Sequence, residues 1–438
     1  MALMPRTALV ALVLAVALAA FPGDLGGNFW WALLIVNLAL LAVAALDALA
    51  APRVSSFEVR RGLPAVVVAG ERADVTWTVR NTSRRRCRVG VADELPPSFH
   101  AARRRTWMRL GGRDTGTASA AMEPERRGRF RIDAVSLRVV GPLGLAARQS
   151  RVRVPGVLRI HPPFRSRKDA ELRIRTARQL EIGLRSAHGT GGGSEFEQLR
   201  EYTADDEFRS IDWGATARVG RAIVRTYRPE RNQTVLVLLD SGRLSAARVD
   251  DVPRIEHAMD GVMMLGAVAT RLGDKVGLVV FDAEVRSIVP AARHQHQVTR
   301  MTEAMFDVEP ALAESDYRGA FTALLARFRR RSLVVVLTEL APQAVEERIV
   351  PALPLLLRRH LVVVAAVRDP QLVEWADAGP EEAGDAYLRA AALAAQTERE
   401  RASARLRGMG VTVIDAPPGR FAPQLADTYL TVKSTGRL

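Results

Sequence analysis

The first fifty residues constrain this chain most, because two apolar stretches, Ala8–Phe21 and Phe29–Ala51, flank the helix-breaking segment Pro22-Gly23-Asp24-Leu25-Gly26-Gly27-Asn28. The second stretch is long enough to cross a hydrocarbon core of about 30 Å. Trp30 and Trp31 are placed as interfacial anchors, Asp47 lies near the far end, and Asn37 is a mid-span polar residue suited to a helix–helix contact. Residues 1–52 therefore read as a transmembrane hairpin. The first stretch is short for a span, and Arg6 before it with Ala17-Leu18-Ala19-Ala20 after it equally fits a cleaved secretory signal. Both versions orient the remainder alike. Arg53, Arg60 and Arg61 follow the second span, whereas the intervening loop carries Asp24 and no basic residue. The expected location is thus the inner (plasma) membrane with the soluble part facing the cytoplasm. Cys87, the single cysteine, permits no intramolecular disulfide and agrees with a reducing compartment.

The formal charge of +15 is unevenly spread. Residues 51–160 hold 23 basic and 9 acidic residues, while residues 233–438 hold 25 and 26. An excess beside the membrane points to the anionic leaflet as partner, so no nucleic acid is expected. The alternative is a solvated arginine-rich surface produced by codon bias.

From 53 to 162 short apolar runs alternate with turn residues: Ala65–Val68, Val75–Val79, Arg88–Val91, Phe130–Ile132, Val135–Val140 and Arg151–Ile160. Such spacing predicts an antiparallel β-sandwich. Asn81 and Asn232 open glycosylation-like triplets that a cytoplasmic location makes accidental. Residues 163–232 read as a polar linker with single aromatics among charges of both signs. Gly189 and Gly191–Gly193 lack the Lys-Ser/Thr of a phosphate loop, so a glycine turn is expected there. The dense Arg and carboxylate content of 185–229 predicts an internal ion-pair network that docks the segment on the next domain, with Trp213 as apolar anchor.

After Gln233, aliphatic runs at Thr234–Asp240, Val276–Phe281, Leu333–Leu337, Leu361–Val367 and Val411–Ile414 alternate with helix-length stretches. These stretches are Arg254–Leu272, Gln295–Phe306, Tyr317–Arg329, Gln343–Leu357 and Ala383–Arg407. The fold class of 233–438 is α/β, a doubly wound, mostly parallel sheet whose ligands bind beyond the carboxyl ends of the strands.

The string from Gly193-Ser194-Glu195-Phe196-Glu197-Gln198-Leu199-Arg200-Glu201-Tyr202 through Asp206, Arg209, Ile211-Asp212-Trp213 and Ala217-Arg218 resembles the signature of the family catalogued as domain of unknown function 58. Gly141-Pro142-Leu143-Gly144-Leu145, the hairpin and the α/β half extend the likeness. The resemblance implies a von Willebrand factor A-like domain and a MoxR-type AAA+ ATPase as partner.

A von Willebrand A domain holds Mg²⁺ through Asp-x-Ser-x-Ser after its first strand and a Thr and an Asp from later loops. Here that element reads Asp240-Ser241-Gly242-Arg243-Leu244-Ser245, the second aligns at Glu314-Ser315-Asp316 and the third at Thr338-Glu339. This is a degenerate metal-ion-dependent adhesion site, and Asp240, Ser245, Asp316 and Glu339 are the ligands expected if Mg²⁺ binds. The alternative is that Asp240 caps the following loop. Arg243 is a candidate contact for an acidic partner surface, as are the signature residues Glu195, Phe196, Arg200, Tyr202, Asp206, Arg209, Asp212, Trp213 and Arg218. His257, His294, His296 and His360 are too scattered for a metal site, and no nucleophilic triad has a recognisable spacing.

The expected function is a membrane-anchored cytoplasmic interaction scaffold, not an enzyme, serving assembly or maturation of other proteins with the MoxR-type ATPase. The rivals are a divalent-metal-dependent hydrolase using Asp240, Asp316 and Glu339, and a basic nucleic-acid-binding protein using the 51–160 surface.

Overall fold

The computed structural model describes residues 2–20, 29–187, 195–204, 206, 208–228, 233–294, 296–379 and 382–435, with the side chains of 2, 178–187, 195–197 and 226–228 outside that description. The chain divides into two units, Met1–His161 and Pro162–Leu438.

The first unit opens with β1 (Ala2–Leu3), α1 (Pro5–Ala20) and α2 (Phe29–Ala50). Of the two helices, α2 is long and apolar enough to cross a membrane, and α1 is shorter. Its strands are β2 (Phe57–Gly62), β3 (Val66–Val68), β4 (Ala73–Asn81), β5 (Cys87–Asp93), β6 (Arg105–Leu110), β7 (Thr115–Met122), β8 (Gly128–Val140) and β9 (Ala146–His161). They form one sheet in the order β1-β9-β8-β5-β6, with β3 also on β9, and a second in the order β2-β4-β7. Period-two burial, alternating buried and half-buried residues from Val75 to Val79 in β4, places Val75, Trp77 and Val79 in the core they share with Val89, Leu137 and Leu158. The two expected runs Phe130–Ile132 and Val135–Val140 are one strand, β8, whose register shifts between Ile132 and Ala134.

A buried ion pair ties the sandwich together. Arg61 donates Nε and Nη2 to Asp93 at 2.8 and 2.6 Å, and Trp77 Nε1 donates to the same carboxylate at 2.5 Å. Asp47, buried near the end of α2, accepts from the backbone N–H groups of Leu143, Leu145 and Ala146 at 2.7–3.0 Å. A carboxylate is unfavourable beside a helix C-terminus, and these three donors offset that cost. Arg148 Nε donates to the Ala48 carbonyl at 2.6 Å, satisfying an end carbonyl of α2.

The second unit comprises α3 (Arg167–Ala187), β10 (Glu195–Glu201), α4 (Trp213–Val219), β11 (Ile223–Arg228), β12 (Thr234–Asp240), β13 (Arg248–Val249), β14 (Val252–Pro253), α5 (Arg254–Arg271), β15 (Lys275–Phe281), β16 (Val285–Ala292), α6 (Gln297–Met305), α7 (Tyr317–Arg327), β17 (Leu333–Leu337), α8 (Pro342–Ala344), α9 (Val350–Ala352), α10 (Pro354–Leu357), β18 (Leu361–Val367), α11 (Gln371–Asp377), α12 (Ala383–Gly408), β19 (Thr412–Ala416) and α13 (Pro418–Ser434). Its main sheet runs β16-β15-β12-β17-β18-β19, parallel except for the antiparallel edge strand β16. The four inner strands, β15, β12, β17 and β18, are buried on both faces. Val235, Val237 and Leu239 meet α5 and α13, while Leu236 and Leu238 meet α7 and the helical segment 342–357.

Three sequence expectations change here. The segment 163–232, expected as a linker, carries α3, whose Ala170 and Ala177 are buried in the sheet's core, and the antiparallel β10–β11 hairpin. The expected helix Gln343–Leu357 is broken into α8, a π-helical stretch at Val345–Ile349, α9 and α10, because Pro351 and Pro354 lack the N–H groups a continuous helix needs. Strand β16 and helix α13 appear where no element was expected. Pro290 disguises the first as a loop, and Pro417, Pro418 and Pro423 disguise the second.

Candidate functional site

Strand order reverses at β12, since β15 lies on one side of it and β17 on the other, and Asp240 ends that strand. This is where open α/β sheets bind ligands. Asp240 is buried, and protein donors surround it. Its Oδ1 accepts from Gly242 N at 2.8 Å and Ser315 Oγ at 2.5 Å, and its Oδ2 from Tyr317 Oη and Thr338 Oγ1, both at 2.7 Å. Tyr317 Oη and Thr338 Oγ1 also lie 2.7 Å apart. A carboxylate offers about four lone-pair directions. All four face donors.

Local sequence explains the knot. A Cβ on residue 242 would sit 2.0 Å from Ser315 Oγ, so the glycine that replaces the expected hydroxyl is what lets Ser315 reach Asp240. Ser241 donates its hydroxyl to the Phe281 carbonyl at 3.0 Å, and Ser245 donates to the Gly242 carbonyl at 2.7 Å. Burial, and then the adjacent Asp240 charge, push the Tyr317 phenol well above its ordinary value, which keeps it a neutral donor.

Of the expected ligands, Asp240, Ser245 and Glu339 line one small space, and Asp316 does not. Asp316 is exposed and caps α7 by accepting from Gly319 N at 2.9 Å. Glu339 is buried between Arg399, with which it makes a close ion pair, and Arg254 at 3.3 Å. Arg399 also donates to Asp415 at 2.9 Å. Burial works against the Arg399 charge, but Glu339 and Asp415 outweigh it and raise its pKa. Among the described residues no three His, Cys, Asp or Glu side chains form a cation cage. The donor set does not fit Mg²⁺, because the carboxylate oxygens that would ligate it are taken by N–H, O–H and guanidinium donors. A space of about 20 Å³ remains, lined by Asp240, Ser245, Arg254, Thr338 and Glu339, enough for one water. Arg243 turns to Glu314, 2.5 Å away, which Arg348 approaches to 3.7 Å.

The signature segment forms a second cluster. Arg200 makes a bidentate pair with Asp206 at 2.5 and 2.7 Å, and Thr203 adds its N–H and hydroxyl at 2.9 and 2.8 Å. Chiefly through Arg200, the Asp206 carboxyl is lowered to about 2. Asp212 caps α4 through Gly214 N and Ala215 N and pairs with Arg225 at 2.7 Å. The Ala215 N–H and Arg225 together lower the Asp212 pKa. Arg218 bonds back to the Gly214 carbonyl at 3.1 Å, Arg209 is exposed, and Tyr202 is half-buried. The side chains of Glu195 and Phe196 lie outside the described residues, as do Gly189 and Gly191–Gly193. The ion pairs are present, but those described join residues within the segment rather than docking it on the next domain, and Trp213 is not a buried anchor. It is 61 % exposed and packs edge-to-face on Phe208, itself 68 % exposed, at 5.8 Å. Phe208 was missed as a candidate, because a lone aromatic between charged residues gives no signal of a surface pair.

Two mycobacterial relatives, uncharacterized proteins of Mycobacterium tuberculosis and Mycobacterium bovis, are 28 % identical over 240 residues, covering 50 % of this chain and 73 % of theirs. Among solved structures, PapD-like domain 7 of human CEP192 is similar at 11 % identity and TM-score 0.18, covering 24 % of this chain and 84 % of that one. A protein of unknown function from Porphyromonas gingivalis W83 is similar at 19 % identity and TM-score 0.19, covering 24 % and 48 %. Residues 198–407, from the signature hairpin into α12, match the model of the family described as protein of unknown function DUF58.

Proposed function

We propose that this chain is a membrane-anchored scaffold, with α1 and α2 as a hairpin in the plasma membrane and both units on the cytoplasmic side. In this reading the second unit is a von Willebrand factor A-like domain that docks a MoxR-type AAA+ ATPase, without a bridging ion, in the assembly or maturation of other proteins. The observation that carries it is the exposed Phe208–Trp213 pair, mounted on a frame braced by Arg200–Asp206 and Arg225–Asp212. Exposed aromatic side chains on a rigid frame are the residue type that anchors protein interfaces. The saturated Asp240 supports a docking role over catalysis, since neither it nor the ion-paired Glu339 is free to activate water. The Arg53, Arg60 and Arg61 flank supports the cytoplasmic orientation.

The test is binding of a purified MoxR-type ATPase to the detergent-solubilised full chain, with and without ATP. Binding that weakens about tenfold in Trp213→Ala and Phe208→Ala is expected for hot-spot aromatics. Absence of binding in both nucleotide states overturns the partner, and Mg²⁺- or Mn²⁺-stimulated phosphatase or nuclease activity of the purified chain overturns the non-enzymatic role.

A further inference from the structure

We propose that the first unit holds a binding site for the phosphate of an anionic phospholipid headgroup, in a cleft of about 590 Å³ walled by Arg6, Arg88, Trp107, Arg109 and Arg138. The inference rests on the membrane anchoring proposed above, but on neither the docking surface nor the partner.

Strand register builds the site. Arg88 on β5 stands directly opposite Arg109 on β6, and Gly90, two residues on and on the same face, stands opposite both Trp107 and Arg138. Two arginines opposed on neighbouring strands repel unless an anion lies between them. A Cβ at residue 90 would come within 2.9 Å of the Trp107 ring, so the glycine lets the indole lie across the strand. The Arg88 guanidinium sits 4.7 Å above that ring, which orients it. Arg138 is held by the neutral Gln149, with Nη2 at 2.7 Å and Nε at 3.0 Å from Oε1. No carboxylate lines the cleft, and among the described residues none of Arg6, Arg86, Arg88, Arg109 and Arg138 is in an ion pair.

Location selects the ligand. Met4, Pro5 and Arg6 form one rim, so the first turn of α1, the positive end of its dipole, opens on the cleft. Gly141, Pro142 and Gly144 form another, and the same loop is bonded through Leu143, Leu145 and Ala146 to Asp47 near the end of α2. The cleft therefore lies at the foot of both apolar helices. With α2 across a bilayer, that is headgroup depth. A phosphate there meets guanidinium donors suited to bidentate contact, while Trp107, Val140 and Pro142 offer apolar surface to the adjoining glycerol and acyl carbons.

The test titrates dihexanoyl-phosphatidylglycerol into the full chain in phospholipid-free detergent, alongside dihexanoyl-phosphatidylcholine, inorganic phosphate and a single-stranded oligonucleotide. Selective binding of phosphatidylglycerol is expected, weakened at least about tenfold in R88Q/R109Q and within about twofold of the parent in R103Q/R104Q, which removes the same charge from exposed residues outside the cleft. R138Q repeats the test with a single change should the double variant fail to fold. Equal loss in R103Q/R104Q reduces the effect to diffuse surface charge and overturns the site. Equal affinity for phosphatidylcholine overturns its anionic selectivity, equal affinity for inorganic phosphate makes it a free-anion site, and tighter oligonucleotide binding makes it a nucleic-acid surface. Carbonate extraction of the same variants separates the two readings. Release of the parent chain from membranes overturns the anchor, whereas retention without phosphatidylglycerol binding overturns the cleft alone.

Discussion

In the second unit Arg254 and Arg399 converge on Glu339, Asp415 takes further donors of Arg399, and Lys433 with Tyr429 donates to one oxygen of the buried Asp274, whereas on the sandwich Arg88 faces Arg109 with no carboxylate between them. The sandwich also buries one such pair, Arg61 with Asp93, so the contrast is between these buried pairs and the arginine face of β5 and β6. Where the fold supplies the counter-charge, the pair is buried and the charge serves packing. Where it does not, the charge stays at the surface and its complement must come from outside the chain. Net charge per segment, nearly balanced in one region and strongly positive in the other, reflects this division.

The comparison breaks most directly at Glu339. Glu339→Ala strands Arg254 and part of Arg399 in a buried site, and about 3 kcal/mol of stability should be lost in thermal unfolding of the detergent-solubilised chain. A loss below about 1 kcal/mol would mean that water enters and solvates these guanidinium groups. Tyr317→Phe removes one of the four donors on Asp240 and should cost about 1 kcal/mol, with Mg²⁺ giving no compensating rise in the unfolding temperature. A Mg²⁺-dependent rise in that variant would show that the knot masks a cation site.

Acid sharpens the contrast through Asp206. Its folded-state pKa, about 2, lies below the unfolded value, so the stability it contributes is fully present above the ordinary carboxylate range and is lost as pH falls through about 2. Hydrogen exchange in the β10–β11 hairpin should therefore differ between the parent and Asp206→Asn near pH 5, and the two should converge as pH approaches 2. A constant difference would assign the effect to shape rather than charge. The smallest effect is expected on the sandwich, where Arg109→Gln removes a like-charge contact and should leave stability unchanged or raise it by up to about 0.5 kcal/mol. A loss above about 1 kcal/mol would reveal a counter-charge supplied by the fold and close the distinction between the regions.

Much of this was legible in the residues. Unbroken runs such as Val235–Leu239 and Leu333–Leu337 announce strands buried on both faces, and Asp240 at the end of the first such run announces the switch-point site. What saturates Asp240 was less visible. Ser315 and Thr338 fall in recognisable elements, but Tyr317 reads as the first residue of a helix, and only the packing of α7 carries its hydroxyl to a carboxylate 77 positions earlier. Glu339 resembled a ligand because sequence shows a carboxylate and not the two arginines, 85 positions before and 60 after, that neutralise it. The arginine cleft was hidden for the same reason. Positions 6, 88, 109 and 138 share no local pattern and meet only through strand register and the return of the chain past α1.

The bond of Asp47 to the loop 143–146 gives the first unit a mechanical property. Three N–H groups on one carboxylate, together with Arg148 on the last turn of α2, leave that helix no swivel relative to the sheet edge it meets. A hinge would let a span tilt freely beneath its domain. A clamped joint makes the helix a lever, so that with α2 embedded, a change in bilayer thickness or curvature that tilts it rotates the whole sandwich by the same angle.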